Sequence, residues 1–332
     1  MTRRELVTHT IDHEDTGKVP YGIYFAGDAQ ECCFEELFRR YVPDRIGKAV
    51  AKGLLMAEEA VAIGMGNHVL RIYAPWWDWY ALPAEYKTSF EAPACLPRTV
   101  GRGSYTALEE KLKFIADNAD CYVLVAFYGS HFEKAYFARG IENFLADLAG
   151  EPAFSQRLLD KIIEKNMVMI ENVLYLPGIH GILLGSDWGS QKSMLMSPKI
   201  WRELIVPGEK KEYDLIKQGG KHVWVHSCGS IEPIIPDLVA MGLDVLNPIQ
   251  PECMDIHALK DRFGDKLSFW GGISTQQTLP YGTPEQVRRE TAEVVKRMGR
   301  GGGYITAPAQ EIQADVPLAN IYALIEAAQS FT

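Results

Sequence analysis

Hydrophobic and polar positions recur along the chain in a fixed order. A short apolar run rich in β-branched and aromatic residues ends at Gly, Pro, Asp or His, and an amphipathic stretch follows it. This order is typical of β-α-β units, in which helices connect parallel strands. The eight predicted strands are Tyr21–Phe25, His68–Tyr73, Tyr122–Tyr128, Gly181–Gly185, His222–His226, Val245–Ile249, Leu267–Trp270 and Tyr304–Ala307.

The helices between these strands have recognisable starts and stops. Apolar residues at helical spacing predict a helix over Pro43–Ala62. Ser197-Pro198 and Thr283-Pro284 each predict a helix start, because Ser and Thr are favoured N-caps and Pro fits the first turn. Pro207 predicts a break in the helix that begins at Ser197, since Pro cannot donate a backbone hydrogen bond.

Eight strands with intervening helices predict an α/β fold of the (β/α)8 TIM-barrel class. A length of 332 residues suits such a barrel with an N-terminal extension, as a single domain over 1–332. The rival is an open, doubly wound sheet, which usually has a glycine-rich fingerprint after its first strand. Here that strand ends in Phe25-Ala26-Gly27-Asp28, without a GxGxxG motif, which favours the barrel.

The composition of the chain limits which binding partners and which cellular compartment we expect. A net charge of -9 argues against nucleic acid as the main partner, because binding to its backbone needs a basic surface. The six cysteines show no disulfide framework. Residues 1–16 lack the apolar run of a signal peptide, and no apolar stretch is long enough to predict a membrane span. We therefore expect a cytoplasmic protein.

The most informative candidate site is the segment Val225–Ser230. Residues i and i+2 of an extended chain point to the same side, so His226 and Cys228 can face one point. Imidazole and thiolate together suit zinc, although at least one more ligand is needed. The alternative is a buried histidine bonded to a carbonyl beside a structural cysteine.

Asp187 is the second candidate, because glycines flank it in a loop directly after a predicted strand. Its carboxylate can serve as a general acid or base, as a metal ligand, or as a partner for a cationic or pyrrole N–H group. The alternative is an N-cap for the segment that begins near Ser190.

Two further stretches follow strand ends. Trp76 and Trp77 belong to an aromatic cluster that can wall a pocket for a flat ligand, or form a lid that packs on the barrel. His131 and Glu133 can act in acid–base chemistry, or Glu133 can stabilise the first turn of a helix.

The chain resembles the uroporphyrinogen decarboxylase superfamily, and the resemblance covers most of the chain. The residues that carry it are Asp187–Gln191, Ser197-Pro198, Trp201-Arg202, Val225–Ser230, Val245–Gln250, Phe269–Ile273, Gly302–Ile305 and Ala307–Ala309. The resemblance implies a (β/α)8 barrel. The decarboxylase carries an arginine-rich segment near its start, and the matching segment Lys18–Tyr24 lacks those arginines. The chain therefore looks more like the zinc-dependent methyltransferase branch, which includes O-demethylases.

The zinc motif of that branch begins His-x-Cys and is matched by His226 and Cys228. Its remaining ligand usually follows the last strand, where this chain has Gln310, a weak zinc ligand. Glu311, Asp187 or Cys253 are alternatives for completing the metal site.

The resemblance implies a transferase that moves a methyl group from a small, methoxylated aromatic or related substrate to a corrinoid. The implied cofactors are zinc and a corrinoid supplied by a partner protein; self-association is left open. Asp187 and His226 are the predicted catalytic residues. The predicted substrate-binding residues are Trp76, Trp77, His131, Gln191, Asn247 and Gln250.

Two other functions remain open. One is a carboxy-lyase without metal, related to the decarboxylase. Such an enzyme would need basic groups for substrate carboxylates, and Arg71 and Arg139 are the candidates. The other is a non-enzymatic protein that binds a tetrapyrrole or a corrinoid.

Overall fold

Strands and helices alternate along the chain in this computed structural model, which describes residues 1–75, 105–127 and 129–332. The fold is α/β, and its seven-stranded sheet keeps the strands in chain order. The strands are β1 Val69–Tyr73, β2 Tyr122–Phe127, β3 Gly181–Gly185, β4 His222–His226, β5 Val245–Ile249, β6 Ser268–Ile273 and β7 Tyr304–Pro308. The α-helices are α1 Arg3–Ile11, α2 Gly27–Tyr41, α3 Asp44–Ala51, α4 Ala57–Met65, α5 Thr106–Asn118, α6 His131–Arg139, α7 Ile141–Gly150, α8 Pro152–Leu174, α9 Pro198–Ile200, α10 Val206–Gln218, α11 Ile235–Met241, α12 Ile256–Phe263, α13 Thr278–Tyr281, α14 Pro284–Met298 and α15 Leu318–Gln329.

The structure confirms seven of the eight predicted strands. The first one, Tyr21–Phe25, forms only isolated parallel bridges, from Tyr21 to Thr306 and from Phe25 to Ile312. Between these bridges the side chain of Asn67 replaces a neighbouring backbone. Its Oδ1 accepts from the Ile23 nitrogen at 3.3 Å, and its Nδ2 donates to the Ile23 oxygen at 2.9 Å. An amide side chain satisfies one residue but cannot continue a ladder, so no regular strand forms.

The predicted helix over Pro43–Ala62 is wrong as a single element, because the structure divides it into α3 and α4. Gly53, with a φ of 70°, turns the chain between them, in a conformation that favours glycine. The start at Ser197 is confirmed, since its hydroxyl accepts from the Ile200 nitrogen at 3.2 Å. The predicted break at Pro207 appears as a π-helical turn, Trp201–Ile205, that precedes α10.

The described chain divides into two compact units. Unit 1 consists of Met1–Ile72, Glu110–Leu124 and Asp244–Thr332. Within it β5 pairs with β6 and β6 with β7, both in parallel. Helix α14 starts at a capping box formed by Thr283 and Gln286, which confirms the second predicted start.

Unit 2 consists of Tyr73–Glu109 and Val125–Leu243. Within it β3 pairs with β4 in parallel, in a register that sets Gly185 beside His226. Trp188 and Trp201 are fully buried and meet edge to face, with ring centroids 5.3 Å apart. This packing anchors the loop that follows β3. Among the residues described in both units, no helix combines the length and the apolar character needed to cross a membrane.

Candidate functional site

Asp187, His226 and Cys228 come together in unit 2, at the ends of two paired strands. The His226 Nε2 atom lies 3.3 Å from the Cys228 Sγ atom and 3.8 Å from the Asp187 Oδ1 atom. The three donor atoms all lie within 4.8 Å of one another. The Asp187 side chain is 37% exposed and that of His226 is 13% exposed, so solvent and small molecules can reach the cluster.

The pairing of β3 with β4 explains this convergence. The loops after the two strands run side by side: the Ser186 nitrogen donates to the His226 oxygen at 2.7 Å, and the Trp188 nitrogen donates to the Ser227 hydroxyl at 3.1 Å. The Cys228 nitrogen then donates to Asp187 Oδ1 at 2.8 Å. The backbone therefore fixes the position of the Asp187 carboxylate beside the histidine and the cysteine.

Two glycines allow the loops to approach so closely. A Cβ atom on Gly189 would lie 2.6 Å from the Cys228 oxygen, and one on Gly229 would lie 2.5 Å from the Ser190 oxygen. Both contacts are with backbone atoms, which cannot rotate away. Gly229 also has a φ of 82°, a conformation that side-chain-bearing residues rarely adopt.

Glu133 adjoins the cluster from helix α6. Its Oε1 atom accepts from the Asp187 nitrogen at 3.3 Å. Burial, together with the charge of Asp187, raises the pKa of Glu133 to about 7. The sequence indicated acid–base chemistry at this stretch but gave no reason to prefer Glu133 over its neighbour His131, because the contact with Asp187 is visible only in the folded chain.

The other predicted site residues have varied surroundings. His131 is fully buried and faces Glu209 and Glu212, in a second cluster of unit 2 that the sequence did not reveal. Gln191 is exposed on the loop after β3. Trp76 and Trp77 lie outside the described residues.

The predicted residues of unit 1 follow its strands. Asn247 donates from Nδ2 to the Trp270 oxygen at 3.1 Å, and Gln250 is buried with its Oε1 atom 3.9 Å from the Cys253 sulfur. Gln310 accepts from the Glu311 nitrogen at 3.0 Å. The roles of all three residues remain predictions.

The two arginines considered for a decarboxylase already contact carboxylates. In unit 1, Arg71 lies 2.7 Å from Glu58 and 2.5 Å from Glu311. In unit 2, Arg139 donates to Asp147 at 2.6 Å. A substrate carboxylate at either position would have to compete with a side chain that is already in place.

The chain is similar to a known protein family and to several curated proteins. The family model described as Uroporphyrinogen decarboxylase (URO-D) matches residues 104–331. A uroporphyrinogen decarboxylase from Pseudoalteromonas translucida is 26% identical over 197 residues, which is 55% of this chain and 50% of that protein. A methylated-thiol–coenzyme M methyltransferase from Methanosarcina mazei is 24% identical over 196 residues, which is 59% of this chain and 50% of that protein. The chain thus spans about half the length of these curated relatives.

The chain also resembles a solved structure along its whole length. That structure is a methyltransferase from Methanosarcina mazei, which superposes with a TM-score of 0.70 at 16% sequence identity and covers 100% of this chain and 99% of that one. At such a low identity, the likeness establishes a shared fold.

Proposed function

The chain belongs to the uroporphyrinogen decarboxylase family, and from this premise we propose that it is a zinc-assisted methyltransferase. In this proposal a methyl group passes from a small methylated compound to a corrinoid carried by a partner protein. The observation that carries the proposal is the convergence of Asp187, His226 and Cys228 on one point.

The donor atoms suit zinc in kind and in spacing. Thiolate, imidazole and carboxylate are its usual protein ligands, and a catalytic site combines three of them with an open position for substrate. Two donors bound to one tetrahedral zinc ion lie roughly 3.3 to 3.8 Å apart. His226 lies at such distances from both Cys228 and Asp187. Asp187 is thereby the proposed third ligand, in preference to Gln310, Glu311 and Cys253, which the sequence also offered for this role.

Zinc, when bound, would supply Lewis acidity toward the sulfur or oxygen atom that carries the methyl group. The residues of the chain supply the framework. His226, at the end of β4, and Cys228, in the loop that follows, would hold the metal, and the Cys228 N–H group orients Asp187. Gln191, Asn247 and Gln250 remain the proposed substrate-orienting residues.

The choice between substrate classes rests on relatives and sequence. A methylated thiol is proposed because a relative is named for that substrate. A methoxylated aromatic compound is the second class, suggested by Trp76 and Trp77 in the sequence. We also propose that the chain forms a complete eight-stranded barrel as a single domain.

The test combines metal analysis with methyl transfer. The protein purified without chelators should contain zinc, and the His226→Ala, Cys228→Ser double variant should have lost the zinc held at this cluster. Cys32→Ser, which changes an exposed cysteine outside the cluster, is the matched control and should keep the zinc. Methyl transfer from methylated thiols and from methoxylated aromatics to reduced cobalamin is followed by the absorbance of the cobalamin. The transfer should require the intact cluster of Asp187, His226 and Cys228.

A different outcome would favour the decarboxylase, the name that several relatives carry. If the double variant and the parent hold the same amount of zinc and neither transfers methyl groups, the metal-assisted mechanism is refuted. Carbon dioxide release from uroporphyrinogen by the same preparations would then identify a carboxy-lyase.

A further inference from the structure

A second cluster of metal-ligand side chains lies in the interior of unit 2. It consists of His131, the first residue of α6, with Glu209 and Glu212, one turn apart on α10. The His131 Nδ1 atom lies 3.3 Å from Glu209 Oε1 and 3.9 Å from Glu212 Oε2, and all three side chains are fully buried. Charged groups so deep in a protein are costly unless something compensates them.

The other side of the histidine ring fixes the position of its proton. The Nε2 atom lies 3.1 Å from the Ile205 carbonyl oxygen. A carbonyl can only accept a hydrogen bond, so Nε2 carries the proton and donates. In the neutral ring, Nδ1 is then a lone pair that faces two carboxylates. Metal-binding histidines commonly have this arrangement, with the distal N–H held by a carbonyl.

Three carboxylate oxygen atoms of the cluster have no hydrogen-bond partner among the residues that the structure describes. They are both oxygens of Glu209 and the Oε2 atom of Glu212. A proton on His131 Nδ1 could satisfy only one of them, whereas a divalent cation attracts several oxygens at once. The number of unsatisfied oxygens therefore favours a cation over a protonated histidine.

Neighbouring residues hold the cluster in position. Asn166 donates from Nδ2 to Glu212 Oε1 at 2.8 Å, which leaves Oε2 directed toward His131. Lys134 donates to the Asn166 Oδ1 atom at 3.2 Å, and burial lowers the pKa of Lys134 to about 7. Gly208 permits close packing, since a Cβ atom there would lie 2.9 Å from His131 Nε2.

We propose that His131, Glu209 and Glu212 bind a divalent transition-metal cation that ties α6 to α10. One imidazole and two carboxylates suit Zn²⁺ and Mn²⁺, which accept mixed nitrogen and oxygen ligands. The role is structural, because the ligands are inaccessible to solvent and to substrate.

The test uses the full-length His226→Ala, Cys228→Ser variant, so that failure of this proposal and failure of the proposed function are separate results. The variant is produced in medium with Zn²⁺ and, separately, with Mn²⁺, which allows the ion to enter during folding. Elemental analysis should find about one equivalent of either ion per chain. Adding Glu209→Gln should abolish it. Asp147→Asn, which neutralises another buried carboxylate of unit 2, should leave it unchanged.

Two further measurements keep the test decisive if Glu209→Gln folds poorly. Glu212→Gln should also lose the ion, and chelation should lower the melting temperature of the parent variant but not that of the glutamine variants. The proposal is overturned if the parent variant holds no ion from either medium. It is equally overturned if both glutamine variants keep the ion.

Discussion

Adding one methyl group at Gly189 tests whether the close approach of the two loops positions the proposed metal ligands. In Gly189→Ala, the new Cβ atom would lie 2.6 Å from the Cys228 oxygen and 2.9 Å from the Ser230 nitrogen. Both are backbone atoms, so the contact can be relieved only if the loops move apart. The hydrogen bond from the Cys228 nitrogen to Asp187, at 2.8 Å, joins the same loops and positions a proposed zinc ligand.

The required movement sets the size of the effect. Ordinary Cβ contacts begin at 3.4 Å, so the contact that would form at 2.6 Å must lengthen by about 0.8 Å. If the loops separate by that amount, the hydrogen bond to Asp187 reaches about 3.6 Å, which is no longer a hydrogen bond. Overpacking of this kind costs about 1–3 kcal/mol of stability. Loss of a contact that orients a metal ligand weakens metal affinity roughly 10- to 100-fold.

The assay is zinc affinity, measured by competition with a chromophoric chelator, together with the free energy of unfolding in urea. Gly150→Ala is the matched control, because it lies in the same unit and a Cβ atom there meets nothing within 4 Å. Gly189→Ala should weaken zinc binding and Gly150→Ala should not. If Gly189→Ala loses stability but binds zinc as tightly as the parent, the loop contact does not position the ligands and the reasoning is refuted.

Three further predictions concern stability. Burial lowers the pKa of His68 from 6.5 to about 4, so the unfolded chain takes up the proton first as the pH falls. The stability that neutral His68 contributes above pH 6.5 is therefore lost toward pH 4, and this one group accounts for a loss of about 2 kcal/mol between pH 7 and pH 5. His68→Gln should flatten this dependence in urea unfolding, and an unchanged slope would contradict it. Ser227→Ala leaves the buried backbone N–H of Trp188 without its acceptor and should lower the free energy of unfolding by about 1–3 kcal/mol. Ser155→Ala, which removes a buried hydroxyl with no partner in the described chain, should lower it by less. Thr283→Ala should lower the free energy of unfolding by about 1 kcal/mol, because it removes the N-cap of α14. An unchanged midpoint in urea would contradict this prediction.

The strands were predictable because each is a short apolar run with a turn residue at its end. The exception, Tyr21–Phe25, has the same pattern but bonds to the side chain of Asn67. Such a substitution of side chain for backbone depends on two segments more than forty residues apart. Local patterning cannot foresee it. The division of Pro43–Ala62 into two helices depends on a left-handed turn at Gly53, which a helical apolar spacing conceals.

Part of the candidate site was predictable, because His226 ends β4 and Cys228 follows it by two residues in the next loop. His226 and Cys228 share a face by the two-residue period of an extended chain. Their meeting with Asp187 depends on the register of β3 against β4, which the sequence did not specify. Glu209 and Glu212 were invisible because glutamates on a helix normally face solvent. Here that face of α10 is buried against His131.

The exposure of the side chains distinguishes the two proposed metal sites more clearly than the chemistry of their ligands does. Both offer a histidine and at least one carboxylate within reach of one ion. A catalytic metal needs an open position for substrate, and the side chains of His226 and Asp187 are 13% and 37% exposed. The side chains around His131 are 0% exposed, so an ion there can only hold helices together. Stripping the second ion should therefore lower the melting temperature, whereas stripping the first should abolish methyl transfer.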